Sequence, residues 1–307
     1  MILTITLNPC IDKSSSVENI KPESKLRCTE VVREAGGGGI NVSKALNKLT
    51  LPSVALFPAG GHNGRMLCDL LKKGAIDFRA IESTVETREN WIVLETSKND
   101  QYRFTFPGLP VQEETIIKLI DEIRAFSPLY VVASGSLPPG LPAYFYGLII
   151  KTANALGARC IIDTSGQALQ AIKGKHAFLI KPNKGELCRL LNIETLENME
   201  VDDAAQQVIQ NGFAEIVVVS MGPEGAWLVS SNEKHFVKAP PVEKKSTVGA
   251  GDSMVAGMVY ALNKQLGLKE VIQWGVACGS AATMNRGTQL FKKEDASRLY
   301  NIIKQTG

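Results

Sequence analysis

The sequence predicts an α/β fold in which helices cover a mainly parallel sheet, with a small second β-sheet attached. Three observations predict it. From about residue 35 onward, short β-branched runs alternate with helical patterns, the rhythm of βαβ units. The strand candidates are continuously apolar rather than alternating, as suits strands covered on both faces. Residues 12–34 and 88–106 break the rhythm with hairpin-like segments and no helix between.

Taken in order, Met1–Pro9 alternates as a strand. Residues 12–34 follow as β-hairpin material. A glycine run opens a helix over Gly39–Leu49, and Ser53–Phe57 is a buried strand before a helix at Gly64–Lys73. Within 88–106, Trp91–Glu95 and Tyr102–Phe106 flank Ser97-Lys98-Asn99-Asp100, the composition of a tight turn. Further strands are expected at Leu129–Ala133, Arg159–Asp163, Phe178–Ile180 and Glu215–Val219, and helices at Glu113–Phe126, Ala143–Leu156, Lys184–Leu191, Asp202–Asn211 and Gly251–Leu262. The expected division is a core of 1–11, 35–87 and 107–307 and a small sheet of 12–34 and 88–106. A sheet with one face free of helices suits a lid, and its other face suits a second subunit. An antiparallel extension of the main sheet is the plainer alternative.

With 307 residues, 44% hydrophobic and 21% charged, one large domain with at most an appendage is expected. A net charge of +3 with interspersed signs leaves no basic stripe for a nucleic-acid backbone. The six cysteines, at 10, 28, 68, 160, 188 and 278, form no C-x-x-C pair and lie apart from His62, His176 and His235. Structural zinc and a disulfide framework are therefore disfavoured. The N-terminus lacks the cationic start and apolar run of a signal peptide, and no apolar span reaches about 18 residues, so a cytoplasmic protein without membrane partners is expected.

Three motifs carry chemistry. Ser246-Thr247-Val248-Gly249-Ala250-Gly251-Asp252-Ser253 runs into the apolar helix Met254–Leu262. Gly249 to Gly251 would aim free backbone N–H groups at whatever precedes the helix, and Asp252 would take a proton from an attacking hydroxyl, which suits phosphoryl transfer. Asp near a helix start is also a common N-terminal stabiliser, and Gly-Ala-Gly a common turn. The second motif, Glu34-Ala35-Gly36-Gly37-Gly38-Gly39-Ile40-Asn41-Val42-Ser43, lets backbone approach a ligand closely, and Asn41 offers both amide groups to a polyhydroxylated one. It is not a dinucleotide fingerprint, because Asn41 stands where the third glycine belongs, and neither a Walker A sequence nor protein-kinase loops occur. The third motif, Lys181-Pro182-Asn183-Lys184-Gly185-Glu186, follows a strand. Asn183 and Glu186 share a helix face, fit to organise the water shell of Mg²⁺ at a nucleotide phosphate, or to form an ordinary capping box. Ser220-Met221-Gly222-Pro223-Glu224-Gly225 reads as a hairpin turn that only its strand-end position makes a nucleotide-loop candidate.

In this order the motifs resemble the ribokinase-like sugar kinase family, often called PfkB, over essentially the whole chain. Thr6-Leu7-Asn8-Pro9-Cys10-Ile11-Asp12 and Ser134-Gly135-Ser136-Leu137-Pro138-Pro139-Gly140 look like its hexose-phosphate branch. Lys25–Thr29, the four-glycine spelling before Ile40-Asn41, Gln101–Phe104 and Gly279–Thr283 look like the branch's fructose 6-phosphate kinases. The resemblance implies a Rossmann-like three-layer core with a β-sheet lid and a dimer formed through the lids. It also implies ATP and Mg²⁺, with K⁺ as a further candidate, and phosphorylation of fructose 6-phosphate at the C1 hydroxyl to fructose 1,6-bisphosphate.

By resemblance, Asp252 is the base, and Gly249, Ala250 and Gly251 form the anion hole. Asp12, Gly37, Gly38, Asn41 and Ser136 hold the sugar. Arg88 binds its 6-phosphate, helped by Lys25, Arg27 and Arg103 from the lid, in the same chain or across the dimer. Lys181, Asn183, Glu186, Ser220, Gly222, Gly225, Thr247, Gly251 and Ser280 face the nucleotide, with Asn183 and Glu186 on its magnesium through water. Ser246, Val248, Ala282, Asn285 and Gly287 match a monovalent-cation loop. Kinases of tagatose 6-phosphate and fructose 1-phosphate in this branch usually carry Lys in the glycine run where this chain has Gly38, which moves the expected substrate away from theirs. Those two substrates remain alternatives, and a non-catalytic sugar or nucleotide sensor on the same fold is a third.

Overall fold

A computed structural model of the chain describes residues 1–197, 200–285 and 289–306. In chain order it contains β1 (Ile2–Ile5), β2 (Cys10–Val17), β3 (Val32–Gly36), α1 (Gly38–Lys48), β4 (Val54–Ala59), α2 (Gly61–Lys73), β5 (Phe78–Glu82), β6 (Arg88–Glu95), β7 (Asp100–Thr105), α3 (Glu113–Phe126), β8 (Tyr130–Ser134) and α4 (Phe145–Ala155). There follow β9 (Arg159–Asp163), α5 (Gly166–Gln170), β10 (Ala177–Ile180), α6 (Lys184–Leu191), α7 (Val201–Gln210), β11 (Ala214–Ser220), β12 (Ala226–Val229), β13 (Lys234–Val237), α8 (Ala250–Asn263), α9 (Leu268–Thr283) and α10 (Lys293–Thr306). No helix among the described residues is long and apolar enough to cross a membrane.

Among these residues the strands form two sheets. The larger runs β13-β12-β11-β10-β9-β8-β1-β4-β5. Strands β5, β4, β1 and β8 to β11 pair in parallel, whereas β12 and β13 fold back antiparallel at one edge. Both faces are covered. Val131, Ala133, Cys160, Ile162 and Val217 point into a core shared with α3, α4, α6 and α7. Their neighbours Tyr130, Val132, Ile161, Ile216 and Val218 point into the opposite core, under α1, α8, α9 and α10. This alternation between two dry layers explains why the strands read as unbroken apolar runs.

Helices α5, α9 and α10 and strands β5, β12 and β13 lie outside the elements expected from the sequence. Close packing explains the composition of α9: a Cβ on Gly257 of α8 would come within 2.4 Å of the Trp274 carbonyl oxygen, and one on Gly275 within 2.8 Å of Met258 Cγ. Small residues at the crossing bring the two backbones together.

The second sheet is separate from the first, in the order β3-β2-β6-β7. Its hairpins β2–β3 and β6–β7 are antiparallel, but they join through a parallel pairing of β2 with β6, in which Asp12 faces Asn90 and Cys10 faces Arg88. A third apolar cluster, containing Ile11, Ala35, Ile40, Phe57 and Leu67, roots this sheet on α1, α2 and β4.

Candidate active site

The carboxyl ends of β8, β9 and β10 meet the N-terminus of α8, the position where open α/β sheets bind ligands. Gly249 caps α8 in the left-handed region at φ 71°, and a Cβ there would also lie 2.5 Å from Leu290 Cδ2. Only glycine meets both conditions at ease. Ser253 N–H bonds back to the Gly249 carbonyl and Ala250 N–H reaches the Thr247 carbonyl at 3.4 Å. The amides of Gly251 and Asp252, in the first turn, have no intrahelical acceptor and are those left for an anion.

Asp252 projects from that turn. Its Oδ2 accepts from Asn41 Nδ2 at 3.0 Å and its Oδ1 from Ser134 Oγ at 3.3 Å. Burial pushes its pKa up to about 6, and the nearby Asp163 carboxylate adds to this, against the donors Asn41 and Ser134 and the Lys181 ammonium. The group is thus ionised at neutral pH yet holds a proton far more readily than an ordinary aspartate, as a general base should. Asn41 is only 6% exposed, and its Oδ1 has no hydrogen-bond partner. A buried amide oxygen left open beside a carboxylate is an acceptor awaiting a ligand donor.

Beneath the turn lies Lys181. Its Nζ is 3.2 Å from Asp163 Oδ1 and 3.5 Å from where a Cβ on Gly251 would stand. Burial works against its charge, but the attraction of Asp163 prevails and its pKa is raised, so a fixed cation sits under the anion turn. Asn183 and Glu186 form a reciprocal capping box: Asn183 Oδ1 accepts from Glu186 N–H and Glu186 Oε2 from Asn183 N–H, each at 2.8 Å. That arrangement commits one oxygen of each residue and leaves Glu186 Oε1 outside the box. Asn183 also bridges to Ser220, so the ends of β10 and β11 adjoin.

On the small sheet, Asp12 is buried over the glycine run, where a Cβ on Gly36 would fall 2.2 Å from its Oδ2. Arg88 donates from Nε and Nη2 to the Asn8 carbonyl (3.3 and 3.1 Å) and from Nη1 to Asn90 Oδ1 and the Phe106 carbonyl (2.8 and 3.0 Å). Four of its five N–H groups are therefore engaged. Arg103 crosses to the anion turn of its own chain, with Nη2 3.1 Å from Thr247 Oγ1. Lys25 and Arg27 lie on the exposed connection 18–31 between β2 and β3, and no hydrogen bond or ion pair joins them to the site among the described residues.

Gly37 caps α1 at φ 117°, and Ser136 accepts a 3.3 Å bond from Asn8 Nδ2. Gly222 begins the short 3₁₀ turn that joins the antiparallel pair β11 and β12, the hairpin geometry expected of that segment. Gly225 has a packing reason of its own, since a Cβ there would strike the Val237 carbonyl at 2.1 Å. Ser246 is buried and, with Lys245, donates its amide to the Thr283 carbonyl, which sets the loop of Ser246 and Val248 beside Ser280, Ala282 and Asn285. Gly287 lies outside the described residues.

Sequence reasoning assigned no role to Ser134, Asp163, Asn90 and Lys44. Asp163 had a signal, as a charged residue at a buried strand's end. Lys44 reaches from α1 to the Ala35 carbonyl at 3.0 Å, and burial pushes its pKa down despite the nearby Glu34 and Asp12. Ser134 touches the Gly38 backbone: a Cβ on Gly38 would lie 2.3 Å from Ser134 Oγ and 2.7 Å from Ser134 C. Gly38→Ala is therefore expected to shift the β8 end that holds Asp252, costing roughly 1–3 kcal/mol of stability together with activity. Thermal unfolding and kcat measured together check this, and two unchanged values would overturn it.

Residues 2–295 match the family described as pfkB family carbohydrate kinase. The chain belongs to that family. Among PfkB relatives, it is 42% identical over 306 residues to the ATP-dependent 6-phosphofructokinase isozyme 2 of Escherichia coli, covering 99% of each chain. It is 31% identical over 297 residues to the 1-phosphofructokinase of Bacillus subtilis, covering 96% of this chain and 97% of that one. Crystal structures of phosphofructokinase-2 from Escherichia coli in complex with fructose-6-phosphate and with potassium superpose with a TM-score of 0.94, at 40% and 41% identity and 99% coverage of each chain. Its tetrameric inhibited form superposes at 0.92, with 40% identity and the same coverage.

Proposed function

We propose that the protein transfers the γ-phosphoryl group of ATP to the C1 hydroxyl of fructose 6-phosphate, giving fructose 1,6-bisphosphate. The observation that carries this reading is the Asn41–Asp252 pair, which joins α1 to the first turn of α8: a base of raised proton affinity beside the open amides of that turn, and an unpartnered acceptor for a sugar hydroxyl supplied from α1. Asp252 takes the C1 hydroxyl proton as the oxygen attacks in line. The Gly251 and Asp252 amides and the Lys181 ammonium hold the charge on the transferring phosphoryl oxygens. Asp12 and Asn41 orient the sugar, and Arg88 offers its remaining N–H to the 6-phosphate. The small sheet acts as a lid, latched by Arg103 on Thr247.

Magnesium fits the donor set. Glu186 keeps one carboxylate oxygen free of the capping box, and no cluster of three acidic, His or Cys side chains exists among the described residues to hold a bare ion. Asn183 and Glu186 would hold it through water, and the ion would neutralise phosphate charge. For a monovalent cation we propose the loop of Ser246 and Val248 beside Ala282 and Asn285. A dimer through the lids is supported by Trp91, Tyr102 and Phe104, which stand exposed on the face opposite Asn90 and Arg103.

The test is a coupled ATP-to-ADP assay with Mg²⁺, comparing fructose 6-phosphate, tagatose 6-phosphate, fructose 1-phosphate and unphosphorylated fructose at matched concentrations. The highest kcat/KM on fructose 6-phosphate is expected. The similarity to a 1-phosphofructokinase keeps the other ketose phosphates in the comparison. A preference for one of them would overturn the substrate, and no turnover on any would leave a sugar or nucleotide sensor.

A further inference from the structure

The groups proposed for the two ends of the substrate, Asp12 for a hydroxyl and Arg88 for the phosphate, carry opposite charges on neighbouring strands of one small sheet. Cys10 pairs with Arg88 and Asp12 with Asn90 in the parallel register of β2 and β6. Arg88 and Asn90 are two apart on β6 and so share a face with Asp12. A guanidinium and a carboxylate so placed would ordinarily close on each other as a bidentate pair, the geometry for which both are shaped. Here they do not. Asn90 stands between them, its Oδ1 accepting from Arg88 Nη1 at 2.8 Å and its Nδ2 donating to Asp12 Oδ1 at 2.9 Å. The same Nδ2 reaches Cys10 Sγ at 3.1 Å, and the Cys10 thiol donates to Asp12 Oδ1 at 3.2 Å.

We infer that Asn90 is a positioning residue, whose side-chain amide spaces Asp12 and Arg88 apart on the lid so that each charge stays available to a ketose phosphate. The amide suits this task because it is neutral and two-sided. Its oxygen satisfies a cation and its NH₂ satisfies an anion, so both charges are oriented while neither is neutralised. An aspartate of the same shape would bind Arg88 and repel Asp12, and a leucine would satisfy neither. Cys10 supports the carboxylate at the same oxygen. Burial first, and the Asp12 charge second, hold its thiol well above the usual range, so it remains a proton donor rather than a competing anion. Asp12 Oδ1 thus takes both protein donors, which leaves Oδ2, the oxygen over Gly36, for the sugar.

This inference rests on the proposed fructose 6-phosphate site and is tested by steady-state kinetics of Asn90→Leu and Asn90→Asp beside the parent, varying fructose 6-phosphate and ATP separately and recording thermal unfolding. Loss of a hydrogen bond to a charged group predicts a KM for the sugar phosphate raised about tenfold in Asn90→Leu. Asn90→Asp should raise it further, because it ties up Arg88 and repels Asp12. The KM for ATP should stay within about twofold of the parent in both, since the partners of the Asn90 side chain, Arg88, Asp12 and Cys10, are none of the groups proposed for the nucleotide. Asn90→Gln, which keeps both functional groups one methylene further out, should recover part of the loss. A sugar-phosphate KM unchanged in both Leu and Asp variants of an active parent would overturn the spacer role alone. A uniform fall in kcat and thermal midpoint with both KM values unmoved would show Asn90 to be merely structural. A parent inactive on every ketose phosphate would remove the site reading and the inference with it.

Discussion

Asp252→Asn is expected to lower kcat by about two to four decades, the usual range for losing a positioned general base. The fold should survive, because an amide can still accept from Asn41 and lie beside Ser134, and ATP binding should persist, because the α8 amides are untouched. Stability should rise at neutral pH. A carboxyl whose folded pKa lies near 6, above its unfolded value, favours the folded state at acid pH, and that contribution is lost as pH climbs through about 6. Ionised Asp252 therefore destabilises the native protein at pH 7, and with its partial exposure the neutral amide should recover on the order of 1–2 kcal/mol. The parent's kcat/KM should fall about tenfold per pH unit below about 6, in proportion to the ionised base of the free enzyme. Turnover in Asp252→Asn close to the parent's, or an acid limb placed near pH 4, would remove Asp252 from the role of base.

What the sequence revealed and what it hid divide along physical lines. The α/β class was legible because the strands at 130–134, 159–163 and 214–220 are buried on both faces, a condition that writes continuous apolar runs into the chain. Helix α9 was not legible, because its spacing answers to close contact with α8 through Gly275 and Gly279 rather than to a solvent-facing stripe. The small sheet was legible as two hairpins, but its parallel β2–β6 seam joins residues nearly eighty positions apart, and no local pattern encodes that pairing. The same limit governs the site. Gly249 and Asp252 announce themselves within one octapeptide, whereas Asp163, Ser134 and Asn90 matter only through partners on other strands. Asn183 and Glu186 carried two readings in one spacing, a magnesium water shell and a capping box, and the structure forms the capping box while leaving Glu186 Oε1 outside it.

Lys181→Met separates structure from catalysis at the base of the anion turn. The variant leaves Asp163, 16% exposed at its side chain, without the ammonium that faces it at 3.2 Å. Removing one partner of a largely buried pair typically costs about 3–5 kcal/mol, because the surviving charge stays desolvated and unanswered. The thermal midpoint should fall by many degrees. Turnover should fall by about two decades or more as well, since a fixed cation under the transferring phosphoryl group is lost. Either effect alone could masquerade as the other, and the double variant Lys181→Met/Asp163→Asn distinguishes them. With both charges gone, no uncompensated ion remains, so stability should return to within about 1–2 kcal/mol of the parent. Turnover should not return, because nothing replaces the ammonium. The acid limb supplies an independent check: Lys181 holds the Asp252 pKa down and Asp163 holds it up. The single variant should therefore move the limb to higher pH, and the double variant should bring it back past the parent's position to lower pH, because Asp163 acts on Asp252 more strongly than Lys181 does. If kcat recovered with the thermal midpoint in the double variant, Lys181 would be a structural partner of Asp163 and the anion turn would act through its backbone amides alone.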